Sequence, residues 1–275
     1  MPAIHPLVAT RLSWAAYMDW DLFAKREVPL PHGWEADLSS SGKSADGKNS
    51  FVTFHNAEAK QVVIAFKGTD SLPQLRSDLL NSGGAAWEAI KGPFEEKLPQ
   101  IRKAYSGFQI STDGHSLGGG LAQTAALEHG LSGYGQNALP ISRSALKDQP
   151  LLGKSLPQAI ADWREKGGSF IETNRSGDIA TFFYSHLRHQ PYLNTETQTL
   201  PRRVDRPTLL PHLSSSILWH TVRPHSIRTI AIDLALRENS SLPAMPSQSK
   251  AGLRHDFARP VSRQQANVEG AVQAL

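Results

Sequence analysis

Gly114-His115-Ser116-Leu117-Gly118-Gly119-Gly120 joins a short strand-like stretch, Phe108-Gln109-Ile110-Ser111, to a strong helical pattern from Leu117 to Glu128. It contains G-x-S-x-G, a spacing that sets a serine on a tight turn between a strand and a helix. The glycines have a mechanical task there, since any side chain beside so sharp a turn would collide with the adjoining elements. The helix that follows aims backbone N–H groups toward the surroundings of the serine oxygen. The chemistry implied is nucleophilic: the serine attacks an electrophilic carbonyl once a base removes its proton and a carboxylate orients that base. Eleven histidines are present, and none stands in a metal-binding spacing such as H-E-x-x-H. Neither a metal nor any other cofactor is expected.

Positioning such a serine requires a sheet. Pro6 to Phe23 has helical spacing, and the polar run from Ser39 to Ser50 reads as a loop. Phe51–Phe54 and Gln61–Phe66 read as strands, the second apolar almost throughout, as in a strand buried on both faces. Helical stretches are expected over Leu72–Leu80, Phe94–Tyr105, Pro157–Lys166 and Ser226–Arg237. Gly130–Pro140 reads as a glycine-marked turn with a short strand near Gln136–Leu139, and Gly168–Thr173 reads as a strand. Strands alternating with helices imply an α/β fold, a mostly parallel central sheet with helices on both faces. Ligands bind beyond the carboxyl ends of such strands, which directs attention to the loops after Phe66, Thr112 and Thr173. A single domain is expected over 1–238, with 191–211 as an excursion and 239–275 as a mobile tail rich in Ser, Pro and Gln.

Gly114-His115-Ser116-Leu117-Gly118-Gly119 resembles the GHSLGG elbow of class 3 lipases, within the α/β-hydrolase fold. Val63-Ile64-Ala65-Phe66-Lys67-Gly68-Thr69-Asp70 is similar to that family's strand and F-R-G-T segment, with Asp78 beyond it in place of an acidic residue frequent there. The resemblance spans roughly Leu7 to Asp233 and is closer in style to bacterial lipase-like effectors and phospholipases than to secreted fungal lipases. Two departures stand out: Lys67 replaces the usual arginine, and Asp113 occupies a position where a small or hydroxyl residue is usual.

The resemblance implies the chain order serine, acid, histidine. Ser116 is the implied nucleophile. Asp178, in a turn after a strand, ranks first as the acid although the family's following proline is missing; Glu172 and Asp205 rank behind it, and Asp162 is read as surface. His225, in Arg223-Pro224-His225 just before a helix, ranks first as the base, ahead of His220 and His212. His115 matches the elbow histidine and is read as structural. The oxyanion hole is assigned to the backbone N–H of Leu117 and to Thr69.

The 275 residues are 39% hydrophobic and 20% charged, which excludes a wholly disordered chain. No run approaches the roughly 20 apolar residues needed to span a bilayer. The absence of cysteine removes disulfides, thiol catalysis and cysteine-ligated zinc. The start shows no secretory signal, so the protein is expected in the cytoplasm or exported by a route that needs none. Net charge is +4, with Arg188, Arg202, Arg203, Arg206, Arg223 and Arg228 gathered between His186 and Arg228 against Glu196 and Asp205. The choice there lies between a solvated loop region and a docking surface in which Arg202, Arg203 and Arg206 contact an anionic membrane or substrate. Nucleic acid is not expected as a partner. The resemblance implies a lipid ester or phospholipid substrate, peripheral membrane contact, and an immunity or secretion partner. The reading is therefore a serine ester hydrolase acting on lipid esters, with a small-ester esterase, an acyltransferase or a non-catalytic hydrolase-fold module as alternatives.

Overall fold

The structure is a computed structural model that describes residues 4–69, 83–141, 154–176, 178, 192–193, 195–200 and 227–237. Helix α1 (Pro6–Ala15) starts with proline in its first turn, where the missing N–H costs nothing. The expected single helix to Phe23 breaks after Ala15: Tyr17 and Met18 turn inward, and α2 (Trp20–Ala24) resumes beyond Asp19. Strand β1 (Trp34–Lys43) follows, then β2 (Ser50–Asn56) and β3 (Gln61–Phe66). The helix expected from Phe94 begins earlier, as α3 (Gly84–Ala104), and runs through Pro93 and Pro99 because Trp87, Ile90, Phe94, Leu98 and Ile101 anchor one face in the core. Then come β4 (Gln109–His115), α4 (Leu117–His129), β5 (Ser132–Gln136), α5 (Leu156–Glu165), β6 (Phe170–Arg175), β7 (Glu196–Leu200) and α6 (Ile227–Arg237).

Among the described residues, seven strands form one sheet in the order β1-β2-β3-β4-β5-β6-β7. The first three pair antiparallel; from β3 onward every pair is parallel. The apolar run of β3 divides between two layers, as its sequence implies. Val62, Ile64 and Phe66 face Trp87, Phe94 and Leu121, whereas Val63 and Ala65 face Leu12, Ala16 and Tyr17. Helix α6 closes the second layer, laying Ile230, Ala231 and Leu234 on Leu7 and Leu200.

Three strands differ from their expected positions. The Ser39–Ser50 run is not all loop, because β1 pairs with β2 across a register shift between Asp37 and Gly42. Within that irregularity Ser41 Oγ accepts from Thr53 N–H, and the Thr53 hydroxyl donates to Ser40 O. β5 lies earlier than Gln136–Leu139, because Gly133 and Gly135 are not turn residues. A Cβ on either would strike the Phe170 ring, at 2.6 Å and 2.9 Å respectively. Residues 196–200, inside the expected 191–211 excursion, form β7 in register with β6. The Leu72–Leu80 helix and the tail from 239 lie outside the described residues. No described helix is long and apolar enough to cross a membrane.

Candidate active site

Ser116 stands where β4 hands over to α4, with φ 58° and ψ −125°. A positive φ is strained for a residue bearing a side chain and persists only where the surroundings determine it. Four backbone hydrogen bonds do so. The Ser116 N–H donates to Gln136 O at 3.1 Å, and its carbonyl accepts from Gly119, Gly120 and Leu139 at 3.0, 3.2 and 2.9 Å. The glycines answer to the tightness of the turn. A Cβ on Gly114 would fall on the Gly118 carbonyl, 2.6 Å from Gly119 N, and one on Gly118 would fall on the Phe66 carbonyl oxygen. Ser116 is 2% exposed.

The oxyanion assignments fall on neighbouring backbone. Leu117 opens α4, so its N–H has no acceptor within the helix. Thr69 is buried in the loop after β3. Its neighbour Gly68 lies against the elbow, since a Cβ there would be 2.5 Å from the His115 carbonyl oxygen and would strike the Tyr17 hydroxyl. That hydroxyl is 2.8 Å from His115 Nδ1, so the elbow histidine is tied to α1's C-terminal turn. Sequence reading missed Tyr17, whose partner lies 98 residues away with no local signal to announce it.

Three buried carboxyls surround the ends of these strands. Asp178, 1% exposed, follows β6 and donates its N–H to Arg175 O at 3.1 Å. Glu172, the lower-ranked acid, accepts from Ala138 N–H at 2.8 Å. Burial pushes it up to about 8, and the charges of Asp178 and Asp113 add to that rise. A carboxyl held neutral is unsuited to orient a histidine. Asp113, at the position where the sequence departs from the resemblance, is also buried and pushed up to about 7, with its Oδ1 accepting from Gly114 N–H and Gln136 Nε2.

The base His225, the lower-ranked His220 and His212, Asp205, and the basic residues Arg202, Arg203 and Arg206 lie outside the described residues. The predicted site residues within the described structure are thus Ser116, Leu117, Thr69 and Asp178, which follow the carboxyl ends of β4, β3 and β6. One group of metal-ligating type occurs among the described residues, Glu95, Glu128 and His129. Lys91 already sits 3.9 Å from Glu95 and 3.6 Å from Glu128, and the group lies at the far end of α4, about 18 Å of helix from Ser116.

No family model and no curated protein sequence matches this chain. Solved structures do. A mutant form of MDLA from Penicillium cyclopium superposes with TM-score 0.54 at 14% identity, covering 82% of this chain and 95% of that one. A fungal lipase gives TM-score 0.54 at 13% identity over 83% and 96%. The triacylglyceride lipase of Rhizomucor miehei gives 0.51 at 16% identity over 69% and 77%. Together with the mostly parallel sheet, these likenesses show the fold: the chain has the α/β-hydrolase fold of these lipases.

Proposed function

We propose that this protein is a serine carboxylester hydrolase acting on lipid esters. The observation that carries the reading is the strained, four-fold hydrogen-bonded backbone of Ser116 at the start of α4. Such strain is maintained where it presents a nucleophile. In this mechanism Ser116 Oγ attacks the ester carbonyl while His225 takes its proton, and Asp178 holds His225 in the required tautomer. The Leu117 N–H and Thr69 stabilise the oxyanion, His225 returns the proton to the leaving alcohol, and water releases the acid from the acyl-enzyme. The architecture shared with lipases supports a lipid ester, and the arginines between His186 and Arg228 favour an anionic phospholipid surface over neutral fat.

The test is release of p-nitrophenol from short and long acyl esters by wild type, Ser116→Ala and Asp178→Asn. Loss of several orders of magnitude is expected for Ser116→Ala, and roughly 10⁴-fold for Asp178→Asn by the protease precedent. A serine-directed organophosphonate should label Ser116. Wild-type turnover by correctly folded Ser116→Ala would remove the proposal.

A further inference from the structure

The Ser116 backbone is held from both sides by one short segment after β5. Gln136 O accepts its N–H at 3.1 Å, and the Leu139 N–H donates to its carbonyl at 2.9 Å. Between these two residues Asn137 takes a left-handed φ of 43°. A residue with a side chain keeps such a φ only where its surroundings impose it. The surroundings here are β6. The Asn137 N–H donates to Thr173 O at 3.1 Å, Asn137 Oδ1 accepts the Arg175 N–H at 2.8 Å, and the Ala138 N–H donates to Glu172 Oε1 at 2.8 Å. In the first two contacts β6 offers main chain that the sheet already fixes. In the third it offers a side chain.

We propose that Glu172 is a positioning residue for the nucleophile, its carboxyl oxygen holding the Ala138 peptide and, one residue on, the Leu139 N–H that fixes the Ser116 carbonyl. The proposal rests on the hydrolase reading above. Glu172 and Ala138 are each 1% exposed, so bulk water is no substitute for the carboxyl. A buried N–H that loses its acceptor costs about 1–3 kcal/mol, a cost that its peptide escapes by rotating. Rotation there acts on Asn137, whose φ is already unfavourable, and it carries the next N–H away from Ser116. The Ser116 backbone, itself strained at φ 58°, is then free to relax, and its Oγ moves with it. Two features mark the carboxyl as more than filler. Gly135 leaves room for it, since a Cβ there would fall on Glu172 Oε2. Its rise to about 8 records the cost of burying an acid where an apolar side chain would fill the same space.

The experiment uses the full chain and compares Glu172→Met, Glu172→Asp and Glu172→Gln with wild type. It measures kcat and KM on a soluble short-chain ester, and the rate of Ser116 labelling by an organophosphonate, per folded molecule and well below each variant's Tm. A shift of about 1 Å at a reacting group costs up to roughly 100-fold in rate. Glu172→Met, which has no acceptor, should therefore lower kcat by roughly 10- to 100-fold with KM nearly unchanged, and slow the labelling by a similar factor. Glu172→Asp, one methylene shorter, should fall between it and wild type. Glu172→Gln keeps an oxygen at the same reach and should recover most of the loss. A residue serving stability alone gives Glu172→Met a lower Tm with wild-type kcat per folded molecule, and that result overturns the proposal. Equal damage from Glu172→Gln and Glu172→Met also overturns it, since the charge and not the acceptor would then matter. Should Glu172→Met not fold, Glu172→Asp provides the same comparison. If Ser116→Ala is inactive while folded Glu172→Met turns over normally, the positioning proposal alone falls; if Ser116→Ala is itself active, the hydrolase reading falls.

Discussion

At neutral pH the Glu172 carboxyl keeps its proton, because burial outweighs the single N–H that Ala138 offers it and two acidic neighbours oppose its ionisation. An acid whose folded pKa lies above its ordinary 4.5 binds more protons in the folded than in the unfolded chain. Stability from this group is therefore complete at low pH and declines as pH rises from 4.5 to about 8. Asp113, raised to about 7, contributes with the same sign. Glu172→Gln keeps an oxygen for Ala138 and cannot ionise. Wild-type Tm should fall across this window, and the variant's should fall less, so that the variant is the more stable at pH 8. Parallel Tm curves would show that Glu172 does not titrate there.

The elbow joins two strands and a helix at van der Waals limits, which makes its glycines intolerant of any side chain. Gly118→Ala would drive a methyl group into the Phe66 carbonyl, 2.9 Å from its carbon and 3.0 Å from Gly68 N, where only backbone can give way. A loss of about 3 kcal/mol or more is expected, with activity lost as the Thr69 loop shifts. Gly92→Ala, within α3 and facing open space, is the control and should be neutral or gain up to about 1 kcal/mol. Thermal denaturation of the two variants decides; equal stability would mean that the elbow relaxes freely. The same steric economy explains what could be read from the sequence. G-x-S-x-G was legible because the residues that form the turn lie within four positions of Ser116, although Gln136, Leu139 and Phe66 brace it from afar. β5 was misplaced because Gly133 and Gly135 spell a turn unless one knows that the Phe170 ring lies over them. β1 was missed because its serines find partners only once β2 is alongside. Tyr17 and Arg175 act through partners distant in sequence, and no periodicity encodes such a pairing.

Across the whole molecule, the fold follows from the architecture, whereas the proposed docking face rests on charge in the sequence. Each basic residue near an anionic bilayer contributes about 1 kcal/mol. Replacing Arg202, Arg203 and Arg206 with Gln should weaken binding to phosphatidylserine vesicles, and high salt should have the same effect on wild type. Hydrolysis of vesicle-borne substrate should suffer more than hydrolysis of a soluble ester. Equal vesicle binding by mutant and wild type at low salt would assign these arginines to solvated surface.

The strand order repeats the order of synthesis, each strand pairing with its predecessor in sequence. Among the described strands nothing has to be threaded between ones already in place, so the sheet can grow from one rim as the chain emerges from the ribosome. The exception is the seam between α1 and α6, where Leu7 meets Ile230 and Leu234 across nearly the whole described chain. Contacts of such long range carry the largest loop-closure entropy and are made late. In refolding, the far-ultraviolet signal of the sheet should therefore recover before esterase activity; simultaneous recovery would place the seam in the nucleus. A hydrolase of the kind proposed, assembled in that order, would stay inert toward membranes while it is being made, its site completed only as the last described helix arrives.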